Sequence, residues 1–277
     1  MKDLKNKVAV ITGAASGFGR ELALLCAQEG MRCALADVDE KGLQATVDLL
    51  KPLNAQTIAV QCDVSKAASV EHLAEQTYQN FGAAHLLFNN AGVAVGGPAW
   101  TATLEDWKWL LEVNLMGVVH GIHSFVPRML KQKDEGHIVN TASVAGLLSV
   151  PGSSVYCVSK HGVVTLSECL YQDLRLANAR IGVSVLCPAF VKTGIADSAR
   201  NRPAELAATN PLAAPYEERV RQATRAGRLS AADVARMTLE AIKANRFYII
   251  THPAIKGAIE ARMRDILEEQ LPTNPMP

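Results

Sequence analysis

Tyr156 and Lys160 stand four residues apart, and on a helix this spacing places the phenol and the ammonium on one face, one above the other. A nearby cation stabilises the ionised phenol and lowers the pKa of a tyrosine below its ordinary value. The pair therefore predicts a tyrosine that ionises near neutral pH and can take a proton from an alcohol or give one to a ketone.

Ser143 adds a hydroxyl to this chemistry. It lies thirteen residues before Tyr156 and can hydrogen-bond a substrate oxygen on which negative charge develops. The chain has no Gly-x-Ser-x-Gly turn and no His and Asp partners in a hydrolase order, so a serine hydrolase is excluded. Any one of these residues alone would be read as structural, but their joint order and spacing favour catalysis.

A glycine cluster follows the first apolar run. Gly13, Gly17 and Gly19 allow the backbone to approach a pyrophosphate, and the helix that starts there supplies free N–H groups and a positive dipole. The spacing Gly-x-x-x-Gly-x-Gly differs from the common Gly-x-Gly-x-x-Gly fingerprint, so a purely structural tight turn stays open. The intervening residues assigned to the same cofactor edge are Ser16 and Phe18.

Asp37 favours NAD as the cofactor. It ends the second apolar run, eighteen residues after Gly19, where a carboxylate can accept both hydroxyls of an adenosine ribose and would repel a 2′-phosphate. Neither Val38 nor Ser16 offers the positive charge that a 2′-phosphate requires. A solvated turn residue, with Asp39 beside it, is the alternative.

Further candidates for the cofactor edge follow the third and fourth apolar runs. Asp63 can accept a hydrogen bond from an adenine amino group, and Val64 follows it. Asn89 and the residues after it suit a braced turn, although asparagines after a strand are commonly plain turn formers. The residues of this turn that we place at the cofactor are Asn90, Ala91 and Gly92.

The composition indicates a folded chain with a small-molecule partner. Of 277 residues, 49% are hydrophobic, and 28 basic against 27 acidic residues give a net charge of +1, which favours neither nucleic acid nor an anionic membrane. Six cysteines without metal-binding spacing are interpreted as buried thiols, and no metal site is predicted. Because no segment has the apolar length of a membrane span or a signal peptide, we expect a reducing, cytoplasmic location.

The elements that must position these residues alternate along the chain. Short apolar runs are typical of strands buried on both faces, and the stretches between them have the apolar spacing of helices. This order predicts a single α/β domain over residues 1–277, a doubly wound, Rossmann-type parallel sheet of about seven strands with helices on both faces. The predicted strands are 8–11, 33–36, 57–60, 85–88, 137–140, 182–186 and 247–250, and the longest predicted helices are 19–28, 70–81, 104–130 and 154–176.

The alternation breaks once, at about residues 188–228, where prolines and arginines interrupt any long helix. An insertion after a late strand lies beside the carboxyl edge of the sheet, where ligands bind in doubly wound folds, so we expect a substrate lid. A surface excursion without a role is the alternative. The arginines that either form a solvated face here or attract an acidic substrate are Arg200, Arg202, Arg219, Arg221, Arg225 and Arg228.

Nearly the whole chain resembles the short-chain dehydrogenase/reductase family, in its compact single-domain branch. One departure is Ala189, where the family commonly has glycine, and we expect a modest change of loop geometry there. The residues that carry the resemblance are the turn from Thr12 to Gly19, the turn from Asn89 to Gly92, Asn114, Ser143, the Tyr156-x-x-x-Lys160 pair and the run from Pro188 to Thr193.

The resemblance implies roles that the residues alone do not establish. Lys160 holds the nicotinamide ribose hydroxyls, Asn114 anchors a water that links Lys160 to solvent as a proton relay, and Thr193 meets the carboxamide. A homodimer or homotetramer packed through the helices 104–130 and 154–176 is also implied. The remaining residues placed beside the nicotinamide are Pro188, Phe190 and Val191.

We therefore predict an oxidoreductase that transfers a hydride between NAD(H) and a secondary alcohol or ketone, with Tyr156 as general acid/base and NADP as the less favoured cofactor. Segments 113–127 and 247–253 resemble bacterial dehydrogenases that oxidise benzylic secondary alcohols of lignin-type dimers. Alternatives are an NAD-binding regulatory protein with little turnover, or a sugar-nucleotide epimerase or dehydratase, which the glycine spacing disfavours. An apolar or aromatic substrate is expected from the residues predicted to line its pocket, namely Val95, Gly96, Leu147, Leu148, Val150, Phe190 and Ile195.

Overall fold

A computed structural model describes residues 1–275. Seven parallel strands form one sheet in the order β3-β2-β1-β4-β5-β6-β7, which confirms the predicted doubly wound fold. The chain reverses direction across the sheet between β1 and β4, and in such folds this switch point opens a crevice at the carboxyl edge. The strands are β1 (Val8–Thr12), β2 (Arg32–Asp37), β3 (Thr57–Gln61), β4 (Leu86–Asn89), β5 (Gly136–Thr141), β6 (Ile181–Cys187) and β7 (Tyr248–Ile250).

Helices cover both faces of the sheet. Successive strand residues point to opposite faces, so that Val10, Leu87 and Ile138 pack under α3, α5 and α6, while Ile11 and Phe88 pack under α1, α2 and α8. The helices are α1 (Gly17–Gln28), α2 (Glu40–Leu50), α3 (Ala67–Phe81), α4 (Leu104–Leu110), α5 (Gly117–Gln132), α6 (Ser154–Leu176), α7 (Ala214–Ala226), α8 (Ala231–Lys243) and α9 (Lys256–Leu267).

The predicted helix over 104–130 is interrupted. A π-helical segment, Leu111–Met116, separates α4 from α5, so the chain makes wider turns there before it returns to α-helix. Asn114 lies in this segment and is fully buried. The π-helical turn therefore places a polar side chain inside the protein, beside the end of β4.

The segment 188–228 is more ordered than its prolines predict. It contains the 3₁₀ turns Gly194–Asn201 and Ala204–Leu206, followed by α7, a helix of thirteen residues. Pro215 lies within the first two positions of α7, where its missing N–H would have no helical partner in any case. The prediction that no long helix forms there is wrong for α7.

All six cysteines are free and five are buried, but Cys169 is exposed, so the interpretation of every cysteine as buried is wrong at that position. Within residues 1–275, no helix combines the length and apolar character needed to cross a membrane. Over the same residues, no three His, Cys, Asp or Glu side chains are grouped as metal ligands.

Candidate active site

A cleft of about 920 Å³ runs along the carboxyl edge of the sheet. Residues within two positions of the carboxyl ends of all seven strands line it, so the sheet topology brings together segments far apart in sequence. Of the predicted site residues, all but Gly19 and Asn114 line this cleft. The two exceptions lie directly behind its wall and shape it from there.

The glycine turn after β1 is shaped by two close approaches. Gly13 has a φ of 69°, and a Cβ there would lie 2.8 Å from Cα of Ala91. A Cβ on Gly19 would lie 2.0 Å from the Gly13 carbonyl oxygen, so only glycine lets α1 start this close to β1. The N-terminus of α1 consequently faces the cleft as an anion-binding end.

Asp37 faces the cleft from the end of β2. Its Oδ2 accepts a hydrogen bond from the Ala15 amide at 2.9 Å, and its Oδ1 accepts one from the Asp39 amide at 3.0 Å. Burial raises the pKa of this carboxyl, although the backbone hydrogen bonds oppose the shift. Each oxygen keeps one more acceptor position, which fits a ribose diol.

Arg20 is the guanidinium closest in sequence to the glycine turn after β1, and its hydrogen bonds go to protein groups. It donates to Thr46 Oγ1 at 3.0 Å and also to the carbonyl oxygens of Ala15 and Gly42. It does not line the cleft. The charged side chains that line this end of the cleft are Asp37, Asp39, Asp63 and Lys66, so carboxylates outnumber the one cation.

Asp63 and Asn90 serve partly as braces for their own loops. Asp63 lines the cleft, and its Oδ1 accepts from the Ser65 amide at 3.0 Å and the Ser65 hydroxyl at 2.7 Å. Asn90 Nδ2 donates to the Thr12 carbonyl at 2.9 Å. The Thr12 hydroxyl in turn accepts from the amides of Asn90 and Ala91 at 2.9 and 3.1 Å.

Thr12 is thus a bracing residue that the sequence analysis did not single out. Its side chain ties β1 to the turn after β4, so that the backbone of Ala91 and Gly92 lines the cleft beside the glycine turn. The turn after β6 approaches from the other side, and a Cβ on Gly17 would lie 3.5 Å from Thr193 Cβ. Val64, at the far rim, is held by His120, whose Nδ1 lies 2.9 Å from the Val64 carbonyl oxygen.

Ser143, Tyr156 and Lys160 meet at the centre of the cleft. Ser143 follows β5, and its hydroxyl lies 3.3 Å from the Pro188 carbonyl oxygen and accepts from the Ala145 amide at 3.1 Å. Lys160, 3% exposed, projects from α6 and donates to the Thr141 carbonyl at 2.8 Å. Its Nζ is 5.7 Å from the centroid of the Tyr156 ring.

The electrostatics of this centre differ from the prediction. Burial raises the pKa of Tyr156 to about 12, and a hydrogen bond with Ser143 opposes this only in part. Burial also lowers the pKa of Lys160 to about 8, with a smaller opposing effect from Cys187. The predicted near-neutral ionisation of the tyrosine is therefore wrong for the protein alone, because desolvation exceeds the effect of its neighbours.

Asn114 acts on the site through the backbone. Its Oδ1 accepts from the Val93 amide at 2.8 Å, and its Nδ2 donates to the Val93 carbonyl at 2.9 Å and to Ser159 Oγ at 3.1 Å. A Cβ on Gly92 would lie 3.3 Å from Asn114 Oδ1 and 3.5 Å from Lys160 Nζ. Asn114 and Lys160 thus approach the same point of the turn after β4.

The apolar end of the cleft lies beyond Tyr156. Five of the seven pocket residues expected from sequence line it, but Leu147 packs against the cluster around Val163, and Gly96 lies against Tyr216 instead. Ala189 donates its amide to His252 Nδ1 at 3.4 Å, which joins the turn after β6 to the end of β7. The lining residues that the sequence analysis missed include Trp109, Leu206, Tyr216, Val220, His252 and Ile255.

The sheet and this cleft define a Rossmann-type oxidoreductase, and comparison with known proteins specifies the family. Residues 7–204 match the family model described as short chain dehydrogenase. The chain belongs to the short-chain dehydrogenase/reductase family, which confirms the resemblance recognised from the sequence.

Several known proteins are similar over nearly their whole length. The CLA biosynthesis dehydrogenase/reductase of Lactiplantibacillus plantarum is 36% identical, and the match covers 98% of this chain and 97% of that protein. The C alpha-dehydrogenase of Sphingobium sp. is 31% identical over 98% of this chain and 89% of its own. A short chain dehydrogenase/reductase from Burkholderia phymatum, solved in complex with NAD, is 50% identical with a TM-score of 0.98 and full coverage of both chains.

Proposed function

We propose that this protein transfers a hydride between NAD(H) and a secondary alcohol or ketone. The observation that carries the proposal is the convergence of Ser143, Tyr156 and Lys160 at the centre of a cleft that continues, on one side, to the glycine turn and Asp37. The other side of the cleft is apolar. A dinucleotide and a substrate can thus lie end to end, with their reacting atoms at Tyr156.

The residues fit a dinucleotide. The N-terminus of α1 and the close glycine turn suit a pyrophosphate, and the Asp37 carboxylate suits a ribose diol. By resemblance, Asp63 and Val64 would hold the adenine, and Pro188, Phe190, Val191 and Thr193 would hold the carboxamide end. When bound, the nicotinamide supplies or accepts the hydride.

Tyr156 is the proposed general acid/base. In the oxidative direction its phenolate oxygen takes the hydroxyl proton while the alcohol carbon loses a hydride, and the C–O bond becomes a carbonyl. In the reductive direction the phenol returns that proton. Because the pKa of Tyr156 is about 12 in the protein alone, we infer that the positive charge of oxidised nicotinamide contributes to its ionisation.

Ser143 and Lys160 assist this proton transfer. The Ser143 hydroxyl donates to the substrate oxygen, where negative charge accumulates before protonation. The Lys160 ammonium favours the phenolate, and by resemblance it also binds the ribose hydroxyls. Asn114, which approaches the same turn as Lys160, would hold the water of a proton relay.

NAD is the proposed cofactor and an apolar or aromatic secondary alcohol the proposed substrate class. Asp37 would repel a 2′-phosphate, and the relative from Burkholderia phymatum was solved in complex with NAD. Trp109, Leu148, Val150 and Leu206 give the substrate end an apolar lining. The resemblance of segments 113–127 and 247–253 to dehydrogenases of benzylic alcohols supports the aromatic class, and a C alpha-dehydrogenase is among the similar proteins.

The domain and quaternary proposals rest on the resemblance recognised from the sequence and on the lining and surface of the structure. We propose one catalytic domain over residues 1–277, with a substrate lid at 188–228, whose residues line the apolar end of the cleft. We also propose a homo-oligomer packed through α4, α5 and α6. Exposed apolar side chains on these helices and on the π-helical segment support it, namely Leu104, Met116, Leu130, Val158 and Leu176.

The test of the reaction is the absorbance of reduced nicotinamide, followed with NAD and then NADP over aliphatic, alicyclic, benzylic and steroid secondary alcohols. Tyr156→Phe should lower the rate by about 10²–10⁴-fold, because the general acid/base is lost, while NADH binding remains. Tyr171→Phe is the matched control, since that ring packs against Phe247 and lies outside the cleft.

Two outcomes would count against the proposal. Turnover that persists in Tyr156→Phe would show that another group handles the proton. A silent alcohol panel in protein that binds NADH would favour the regulatory alternative over the enzyme.

A further inference from the structure

Arg202 differs from the other arginines of the lid. Arg200, Arg219, Arg225 and Arg228 are exposed, as a solvated face requires, whereas the Arg202 side chain is only 14% exposed. It lies between the two 3₁₀ turns of the lid, directly before Pro203, which lines the cleft. A buried guanidinium in an arginine-rich segment requires a partner.

That partner is Asp106 of α4, whose side chain is 5% exposed. Nη1 of Arg202 lies 2.7 Å from Asp106 Oδ1, and Nε donates to the Leu206 carbonyl at 2.6 Å. The guanidinium also stacks over the Trp109 ring, with Cζ 5.2 Å from the ring centroid. Arg202 therefore joins two residues of α4 to the second turn of the lid.

Asp106 is itself fixed. Its Oδ2 accepts from the Thr103 amide at 3.0 Å, and its own amide donates to Thr103 Oγ1 at 3.1 Å, which forms a capping box at the start of α4. One oxygen of the carboxylate thus holds the helix end and the other holds the lid. The lid is attached to a rigid point of the fold.

The attachment acts on the wall beside the proposed acid/base. Trp109 and Leu206 are 2% and 8% exposed and share an apolar cluster with Val93 and Val155. The Tyr156 ring packs against this cluster, and both Trp109 and Leu206 line the cleft. A displacement of Arg202 would therefore move two cleft-lining side chains next to Tyr156.

A contribution to stability does not by itself explain the ion pair between Arg202 and Asp106. Nη2 of Arg202 is buried and has no hydrogen-bond partner among residues 1–275. An incompletely satisfied buried ion pair commonly contributes less to stability than apolar residues of the same size would. Its advantage is therefore expected in the placement of the groups that it joins.

We propose that Arg202 is a positioning residue that clamps the lid to α4 through Asp106 and Trp109, and so sets how tightly the apolar end of the cleft holds its substrate. This inference rests on the proposed function for its kinetic consequence. The attachment of the lid to α4 can be measured by hydrogen exchange, without any turnover.

The experiment compares Arg202→Lys and Asp106→Asn with the wild-type protein. Lysine keeps the charge but loses the fork and the flat stacking surface, and asparagine keeps the shape and an acceptor for Thr103 while it removes the charge. Arg128→Lys is the control, because Arg128 pairs with Glu71 at 2.6 Å, outside the cleft. Steady-state kinetics, NADH binding and amide hydrogen exchange over 201–207 are measured for each.

We expect both clamp variants to raise KM for a bulky alcohol roughly 10- to 100-fold, with kcat within about threefold and NADH affinity unchanged. Hydrogen exchange over 201–207 should accelerate in both variants. In the Arg128→Lys control, neither KM nor the rate of exchange should change. Unchanged KM with unchanged exchange would overturn the proposal, as would parallel losses of kcat and NADH binding that mark general destabilisation. Faster exchange in a protein that turns over no alcohol would support the clamp while the proposed function fails.

Discussion

Burial sets the protonation of Lys160 more strongly than any neighbour does. An ammonium that is 3% exposed loses most of its hydration, and its pKa falls to about 8 from an ordinary 10.5. The folded protein therefore carries a group that would be more stably charged in the unfolded chain. Placing a cation at a dry site therefore costs stability.

This cost predicts that the difference in unfolding free energy between Lys160→Met and wild type changes with pH. Below pH 8 the folded wild type bears the full penalty of a buried ammonium, about 3 kcal/mol from the two pKa values, and the penalty fades as the pH rises from 8 to 10.5. The unfolding free energy of the variant minus that of wild type should thus be more positive at pH 7 than at pH 10, because only the wild type carries the penalty at pH 7. Urea denaturation at both pH values measures it.

Lys41→Met serves as the control, because this lysine is exposed on α2. A difference between Lys160→Met and wild type that stays constant over pH 7–10 would contradict the depressed pKa. Loss of the bond to the Thr141 carbonyl lowers stability at every pH and does not change this comparison.

Asp37 is expected to decide the choice between NAD and NADP. In Asp37→Ser, the carboxylate that repels a 2′-phosphate is lost, so the ratio of kcat/KM for NADP to that for NAD should rise roughly tenfold or more, which corresponds to about 1.4 kcal/mol. Asp39→Ser is the control, since serine keeps the cap that Asp39 provides at Gly42 of α2. A ratio that moves equally in both variants would argue against a specific role of Asp37.

The sequence could place Tyr156, Lys160 and Asp37 at one cleft because the signals that identify them are local. Tyr156 and Lys160 share one helix face, and Asp37 directly ends a strand. Trp109 and His252 reach the cleft, and Arg202 reaches Trp109, only through tertiary packing, which leaves no trace in local spacing. The direction of the Tyr156 pKa shift was missed for the same reason, since it depends on how deeply the ring is covered.

Among the elements, the π-helical segment has the clearest function to test. Asn114→Ala removes both hydrogen bonds to Val93 and one to Ser159, and it leaves buried backbone groups without partners. We expect the unfolding free energy to fall by roughly 1–3 kcal/mol and hydrogen exchange at the Val93 amide to accelerate. Chemical denaturation and exchange measured by NMR test the two effects.

Ser159→Ala is the comparison for this variant, because it removes the acceptor of one Asn114 bond and leaves the Val93 pair intact. Its effect on Val93 exchange should be small. An equal acceleration in both variants would mean that the turn after β4 is not held by Asn114.

Element types were predictable and element boundaries less so. The seven apolar runs correspond to the seven strands, yet pairing extends β1 to Thr12 and β2 to Asp37, beyond the apolar residues themselves. The interruption in 104–130 was missed because apolar spacing on both sides of a π-helical turn resembles one continuous helix. In the lid, Pro215 at the start of α7 was mistaken for a helix breaker.

For the whole molecule, the proposed homo-oligomer makes a prediction about surface apolar groups. Met116 and Val158 are 39% and 49% exposed on the helices expected to face a second copy. Val158→Glu would place a charge in that interface and should lower the mass in sedimentation to that of a monomer. Leu271→Glu, at a tail residue that is 89% exposed, should leave the mass unchanged.

A wild-type protein that already sediments as a monomer would contradict the oligomer directly. An oligomer that persists in Val158→Glu would instead place the interface elsewhere. In both cases folding is checked by thermal denaturation, so that loss of structure is not read as dissociation.

The strand order also has a consequence during protein synthesis. Strands β1 to β4 are complete by Asn89, whereas β5 begins only at Gly136, and β4 needs β5 to cover its second edge. A chain leaving the ribosome can therefore assemble the cofactor half of the sheet first. Until β5 is made, such a chain exposes the unpaired apolar edge of β4. A truncated product that ends between residues 89 and 136 is therefore expected to aggregate.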